Sequence, residues 1–264
     1  MPREVKITER RESIFEFWKE HANSDLSIYS SLFAQQPLFT NSAEQLLKGT
    51  AFVIFNHVHG TWEYVNDEMG KLTGYSSERH QKEGFELTFK YMHPHYIDFA
   101  FQGSHRIIFD YLYSIPVNER KQVSFTKDFI YLVYEKEYIR ALQKGIVLDM
   151  DEEGGIIRTL HLISDISHLK KENDANLIIK SAANVFTIYN YCSSEKTITN
   201  LGCISRREKE ILDLLAKGYT TRRIAEQLFI SDHTVNTHRR NLLNKTNTVD
   251  TTALVTYARM VGIL

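Results

Sequence analysis

The sequence predicts an α+β protein, in which a five-stranded antiparallel sheet with helices on one face precedes an all-α C-terminal domain of four helices. Two observations predict this. Short apolar runs rich in β-branched and aromatic residues occur in two groups, separated by an aromatic-rich stretch that reads as helical turns. Residues 204–264 instead repeat apolar side chains at helical spacing, between capping residues and glycines.

The composition is that of an ordinary globular protein. Hydrophobic residues make up 42% and charged residues 25% of the 264 residues. At about 100–200 residues per domain, this length predicts two domains. The charged N-terminus lacks a signal-peptide pattern, and no apolar run reaches the roughly 20 residues that span a bilayer. We therefore expect a cytoplasmic protein with no membrane partner.

Charge is distributed unevenly along the chain. Residues 204–264 contain ten basic and six acidic side chains, a net charge of +4. The remaining residues contain 22 basic and 27 acidic side chains, a net charge of −5. A basic C-terminal module on an acidic body is typical of a domain that binds a polyanion.

The first two segments are predicted to be a helical N-terminal segment (1–50) and a sheet domain (51–171). In the sheet domain, two short strands and a helix closed by Gly74 are followed by further helical turns as far as residue 120. Three longer strands follow, and the DEEGG turn between the last two predicts a hairpin. The predicted strands are 51–56, 61–67, 125–135, 138–149 and 155–166.

Three stretches of the sheet domain resemble the PAS family. They are YVNDEMGKLTGYSSE (64–78), MHPHYIDF (92–99) and LISDISHLKK (162–171). The resemblance implies a sensor domain that takes a small-molecule ligand in an internal pocket, or that mediates dimerisation. We predict no cofactor and no metal, because no cysteine precedes Cys192 and because His57 and His59 have no identifiable third ligand.

Residues 172–200 allow two interpretations. Their β-branched and aromatic residues favour a hairpin, but a helix linking the two domains is the alternative. The polar stretch SSEKTITN (193–200) is predicted to be a flexible linker.

Residues 201–264 contain the signals of a helix-turn-helix. Ser205 and Glu208 form the pattern of a capping box, and Gly218 suits the left-handed end of the first helix. Thr220 is predicted to cap the second helix and Ser231 the third, with a tight Phe229–Ile230 turn between them. A fourth helix is expected to begin at Thr251. A short helix, a tight turn and a second capped helix together predict a helix-turn-helix.

The third helix has two different faces. At 100° per residue, Val235, Leu242 and Thr246 share one face, which we expect to be buried. The other side carries side chains suited to base edges, since arginine matches guanine and asparagine matches adenine. The predicted base-contacting residues are Asn236, Thr237, Arg240 and Asn241. The predicted DNA-backbone contacts are Arg222, Arg223, Ser231, Thr234, Arg239 and Lys245.

This C-terminal segment closely resembles the LuxR-type helix-turn-helix family. The matching stretches are SRREKEILDLLAKG, RRIAEQLFIS, TVNTHRRNLLNK and ALVTYARMVGIL. The resemblance implies base contacts by Asn236, Thr237 and Arg240, and backbone contacts by Thr234 and Lys245. Two positions depart from the family pattern. Thr246 stands where a leucine is usual, and Arg223 stands where an acid is usual.

These observations predict a transcriptional regulator that binds double-stranded DNA as a homodimer. The last helix (251–260) is the expected dimer contact of the DNA-binding domain, and residues 1–50 or the sheet supply another. The alternative is a signalling scaffold whose sensor domain and basic tail bind protein partners. We predict no enzyme and no catalytic residue, since the chain has no phosphate-binding glycine loop, nucleophile elbow or metalloprotease helix.

Overall fold

The computed structural model describes residues 4–6, 50–132, 138–170 and 173–264. The helical segment predicted for residues 1–50 lies outside the described residues, apart from a three-residue strand and Thr50.

A single antiparallel sheet organises the described chain. Its nine strands follow the order β1-β9-β8-β7-β4-β5-β6-β2-β3 within the described ranges. The strands are β1 (Glu4–Lys6), β2 (Ala51–Asn56), β3 (Thr61–Val65), β4 (Ser124–Leu132), β5 (Tyr138–Met150), β6 (Ile156–Asp165), β7 (Ala175–Lys180), β8 (Phe186–Cys192) and β9 (Thr197–Cys203).

Helices connect the two halves of the sheet domain and form the C-terminal domain. Six helices lie between β3 and β4: α1 (Asp67–Thr73), α2 (Ser77–Glu83), α3 (Phe85–Tyr91), α4 (Pro94–Asp98), α5 (Ser104–Ser114) and α6 (Val117–Arg120). A π-helical segment, Phe99–Gly103, joins α4 to α5, and a 3₁₀ turn, Ser167–Leu169, follows β6. The C-terminal helices are α7 (Arg206–Ala216), α8 (Thr221–Leu228), α9 (Asp232–Thr246) and α10 (Thr251–Val261).

The predicted fold class is confirmed. Strands β2 and β3, then helices, then β4 to β6 make the PAS-like unit, with neighbouring strands in the order β3-β2-β6-β5-β4. The hairpin between β5 and β6 is also as predicted. Asp151 accepts hydrogen bonds from the Glu153 and Gly155 N–H groups, and Gly154 adopts a φ of 88° that favours glycine.

The sheet is larger than the five strands that the sequence predicts. Strand β7 pairs with β4, and β8 and β9 continue the sheet beyond it. The predicted linker at residues 193–200 is wrong, because only a turn separates β8 from β9, and β9 begins at Thr197. The helical alternative for residues 172–200 is also wrong. In β9, Ile198 is buried while Thr197 and Thr199 on the other face are half-buried, and a strand with one partly solvated face does not need an apolar pattern on that face.

Both faces of the central sheet are covered. In β7, Leu177 and Ile179 pack into the core beneath α1–α5, whereas Ile178 between them packs against the C-terminal domain. A strand buried on both faces has a continuous apolar sequence rather than an alternating one, as NLIIK does. The largest fully buried side chains of the helix-covered core include Tyr91, Tyr96, Phe55, Phe99 and Phe129.

The C-terminal domain lies directly on the sheet. Leu254, Tyr257 and Val261 of α10 are fully or almost fully buried in one cluster with Leu142, Ile178 and Ile188 of the sheet. The predicted dimer contact on the last helix therefore needs correction, since the apolar face of α10 is covered within the chain. Its exposed side chains are Thr252, Thr256 and Arg259. No helix among the described residues is both long and apolar enough to cross a membrane.

Candidate nucleic-acid interface

Helices α7, α8 and α9 form the predicted helix-turn-helix. Ser205 and Glu208 make a reciprocal capping box at the start of α7, and Thr220 caps α8 by accepting a hydrogen bond from the Arg223 N–H. Ile211, Ile224 and Val235, one from each helix, are fully buried together. The three helices therefore hold their relative positions through a small apolar core of their own.

The turn before α9 places its first residues at the surface. Phe229 ends α8 in the left-handed conformation, with a φ of 53°, and its side chain is 94% exposed. The Ser231 hydroxyl then accepts a hydrogen bond of 3.1 Å from the Thr234 N–H, which caps α9 as predicted. The positive end of α9 and its first side chains thus face outward, an arrangement suited to an anion such as phosphate.

The predicted base-contacting side chains share the outer face of α9. Thr237, Arg240 and Asn241 are exposed, and Asn236 is half-buried. Arg240 has no ion-pair partner among the described residues, so its guanidinium group is available to a ligand. The Thr237 hydroxyl donates to the His233 carbonyl oxygen at 3.0 Å, a hydrogen bond within α9. Val235 and Leu242 are fully buried on the opposite face, as predicted.

The side chains predicted to contact the DNA backbone differ in their exposure and in the contacts that they make within the protein. Arg223 is exposed and stacks on the Tyr219 ring at 4.0 Å, while Arg222 pairs with Glu226 at 3.2 Å. Both lie in the first turn of α8, and Ser231 and Thr234 lie at the start of α9. Arg239, in the middle of α9, is half-buried. The structure therefore brings Arg222, Arg223, Ser231 and Thr234 to helix N-termini of one motif.

Lys245 lies at the opposite end of α9 and is already engaged. Its ammonium group pairs with Glu208 at 2.8 Å and donates to the Cys203 carbonyl oxygen at 3.0 Å. Burial favours the neutral acid, but hydrogen bonds from Lys245 and the Ser205 N–H outweigh it and hold the pKa of Glu208 below its ordinary value. A phosphate contact by Lys245 therefore competes with an internal ion pair, which the sequence pattern did not indicate.

The departure from the family pattern at Thr246 is accommodated in the domain core by hydrogen bonds. Thr246 is fully buried, and its hydroxyl bonds to the Leu242 carbonyl oxygen at 2.8 Å and to the Thr248 hydroxyl at 2.9 Å. Both hydrogen-bonding capacities of the hydroxyl are used, so burying it costs little.

A cleft beside this surface was not predicted from the sequence. Asn241 and Asn244 of α9 line an open cleft together with Asp174 and Asn190 from the sheet side. The C-terminal half of α9 therefore faces the β7–β8 region, which places an acidic side chain beside the reading surface. No signal in the sequence indicated this, because it depends on how the two domains pack.

No metal centre is found in the part of the chain that the structure describes. No three His, Cys, Asp or Glu side chains there are grouped closely enough to hold a metal ion. Cys192 and Cys203 are both free.

Comparisons with known proteins agree with this geometry in the C-terminal domain. Residues 203–258 match the family described as "Bacterial regulatory proteins, luxR family". The oxygen regulatory protein NreC of Staphylococcus carnosus is 47% identical over 55 residues, which are 21% of this chain and 25% of NreC. NreC of Staphylococcus haemolyticus is 37% identical over 78 residues, which are 30% of this chain and 36% of that protein. This chain thus spans about a quarter to a third of the length of these curated relatives.

Two solved structures resemble the chain at low sequence identity. The Vibrio cholera VqmA–ligand–DNA complex is 14% identical, covers 86% of this chain and 90% of that chain, and has a TM-score of 0.32. The N-terminal domain of a diguanylate cyclase with a PAS/PAC sensor from Marinobacter aquaeolei is 16% identical, covers 45% of this chain and 95% of that chain, and has the same TM-score of 0.32. The capped helices α7–α10, the exposed polar face of α9 and the match over residues 203–258 identify the C-terminal domain as a LuxR-type helix-turn-helix domain.

Proposed function

We propose that this protein is a sequence-specific DNA-binding transcriptional regulator. The observation that carries the proposal is the outer face of α9, where Arg240 is exposed and has no ion-pair partner among the described residues. The start of the same helix is open to an anion, so one element offers both base-reading and phosphate-binding groups. The basic balance of residues 204–264 adds the electrostatic attraction that non-specific DNA binding requires.

The proposed contacts divide by chemistry. Arg240 reads guanine in the major groove, and Asn236 and Asn241 read adenine, while the Thr237 methyl group contacts thymine. Arg222, Arg223, Ser231, Thr234, Arg239 and Lys245 are proposed to contact the phosphate backbone. Arg222 and Lys245 must exchange their carboxylate partners for phosphate, so their net contribution should be smaller than that of Arg223.

The proposal also covers the oligomeric state of the protein, its location in the cell and the role of the PAS-like domain. A single helix-turn-helix gains affinity by reading two half-sites, so we propose a homodimer that works in the cytoplasm without catalysis. The dimer contact falls on a surface other than the apolar face of α10, which the sheet covers. The PAS-like domain serves as the sensor, and its packing against α10 is the route by which a signal reaches the DNA-binding domain.

The experiment is recovery of genomic DNA fragments by the full chain, followed by sequencing, with wild type and Arg240→Ala. We expect a discrete motif that relaxes at one position in the variant, at a cost of about 1–3 kcal/mol in binding. The matched control is Arg259→Ala, because Arg259 is exposed and belongs to α10 rather than to the reading helix α9. Recovery without any sequence preference, unchanged in Arg240→Ala, would reject the proposal in favour of a scaffold with a basic tail.

A further inference from the structure

A small internal cavity lies between the sheet and the helices that cover it. Its volume is about 30 Å³, enough for roughly two water molecules. Aromatic side chains make a large part of its wall, including Phe55, Phe85, Phe101 and Phe129. The polar groups that reach it include Lys127 of β4, Gln143 of β5 and His161 of β6. None of the described residues that line it is acidic.

Lys127 is the unusual group in this cavity. Its side chain is buried, and it forms no ion pair with any carboxylate of the described residues. Burial alone lowers the pKa of Lys127 to about 7. Burying an ammonium group without a counter-ion is unfavourable, and a lysine avoids that cost either by losing its proton or by pairing with an anion.

The local hydrogen bonds do not supply that partner. The Lys127 ammonium donates to the Ala100 carbonyl oxygen at 2.6 Å and contacts the Ser104 hydroxyl at 3.3 Å. The same carbonyl oxygen also receives the Ser104 hydroxyl at 3.0 Å and contacts the His105 ring at 2.8 Å. A carbonyl oxygen has two lone pairs, so polar hydrogens outnumber acceptors at this point.

Two other nitrogens in the cavity wall have no hydrogen-bond partner among the described residues. They are Trp62 Nε1 and His161 Nδ1, and the His161 ring bonds through Nε2 to the Thr159 hydroxyl at 2.8 Å. An indole N–H can only donate. A cavity with surplus donors, a cation and no acid is complementary to an anion.

We propose that this cavity binds a short-chain carboxylate, whose anionic group pairs with the Lys127 ammonium while its alkyl part contacts the aromatic wall. The small volume of the cavity restricts the ligand to the smallest carboxylates, such as formate or acetate. A carboxylate supplies the missing acceptors, and the aromatic rings favour an alkyl group over a second charge. This inference rests on the proposed role of the PAS-like domain as the sensor.

The experiment titrates the full chain with acetate and, separately, with acetamide at constant ionic strength, without DNA. Saturation-transfer NMR from the protein to the ligand methyl group measures binding. Acetamide has the same shape without the charge, so we expect acetate to bind at least tenfold more tightly. In Lys127→Met, acetate affinity should fall at least tenfold. In Lys144→Met, affinity should stay within twofold, because Lys144 lies on the neighbouring strand and points to the other face of the sheet.

Equal binding of acetate and acetamide, or no binding of acetate to wild type, would overturn the proposal. Unchanged acetate affinity in Lys127→Met would overturn it as well. If Lys127→Met does not fold, the comparison of acetate and acetamide binding to wild type still tests the proposal. Since the titration contains no DNA, its failure leaves the DNA-binding proposal intact, and a failure of DNA binding does not affect its result.

Discussion

Lys170, at the end of the 3₁₀ turn after β6, donates a 2.6 Å hydrogen bond to the carbonyl oxygen of Thr246, the last residue of α9. The same ammonium pairs with Asp128 of β4 at 3.1 Å and lies 4.2 Å from the centre of the Tyr257 ring in α10. Asp128 is also held by Arg140 at 2.7 Å. One buried lysine therefore joins the sheet, the reading helix and the last helix.

Replacing Lys170 should destabilise this junction strongly. In Lys170→Met, the fully buried Asp128 carboxylate keeps Arg140 as its one charged partner among the described residues, and the Thr246 carbonyl oxygen loses the Lys170 donor. Breaking a buried ion pair from one side costs about 3–5 kcal/mol in unfolding free energy. Urea unfolding measures this loss. The control Lys71→Met removes an exposed pair with Glu68 and should cost less than about 1 kcal/mol. Similar urea unfolding curves for the two variants would show that Lys170 stabilises the protein no more than an exposed ion pair does.

Removing the acid beside the reading helix should strengthen DNA binding. Asp174 lines the cleft that Asn241 and Asn244 share, so its charge repels a phosphate backbone that approaches the C-terminal half of α9. We expect Asp174→Asn to raise affinity about twofold at low salt and to have no effect at high salt, where charges are screened. Fluorescence anisotropy with a DNA duplex measures the effect. Asp110→Asn on α5 is the control, and an equal gain there would mean that only net charge matters.

Acid should weaken the fold partly through buried histidines. Burial lowers the pKa of His57 to about 3, and burial with the nearby Arg79 lowers that of His80 to about 4. Between about pH 6.5 and those values, only the unfolded chain binds these protons, so stability falls as the pH falls. Each histidine contributes a slope of up to about 1.4 kcal/mol per pH unit.

Urea unfolding of wild type and His80→Gln between pH 7 and 4 isolates this effect for one histidine. The stability advantage of wild type should shrink on acidification. The control is His59→Gln, which replaces an exposed histidine in place of a buried one. If the wild-type and His80→Gln curves run parallel, His80 does not titrate as its burial predicts.

Raising the pH above 7 should stabilise the fold through Lys127. Because burial lowers its pKa to about 7, folded protein releases this proton between about pH 7 and 10.5 while the unfolded chain keeps it. The unfolded state then binds more protons, so stability rises with pH across this window, by up to about 1.4 kcal/mol per pH unit. Lys127→Met should be more stable than wild type at pH 7, and the difference should shrink by pH 9. A constant difference in urea unfolding would show that Lys127 keeps its proton.

Local sequence patterns were sufficient for most of the C-terminal domain. The caps at Ser205, Thr220 and Ser231 and the turn at Phe229 follow from interactions within four residues, so they are readable from the chain alone. The N-cap that was not predicted in this domain is Asp250, whose carboxylate accepts from the Ala253 N–H at 2.8 Å at the start of α10. Aspartate is a preferred capping residue, so this signal was present in the sequence.

The strands of the PAS-like unit could be predicted from the sequence, but the pairing of β7–β9 with that unit could not. β-branched residues and the DEEGG turn predict β4 to β6 because hairpin pairing is local. Whether residues 175–203 pair with β4 depends on a long-range contact, since β7 lies beside β4 in space but 43 or more residues away along the chain. Propensity cannot distinguish such an added strand from a free hairpin.

The sequence by itself determined which residues form the reading helix and which of its faces is polar, because helical periodicity and capping are local properties. Only the tertiary structure decided that α10 packs on the sheet, that Lys245 pairs with Glu208, and that Lys127 is buried with no carboxylate partner in the described part of the chain. Each of these depends on side chains brought together from distant parts of the chain, where burial and charge pairing act through space rather than along the sequence.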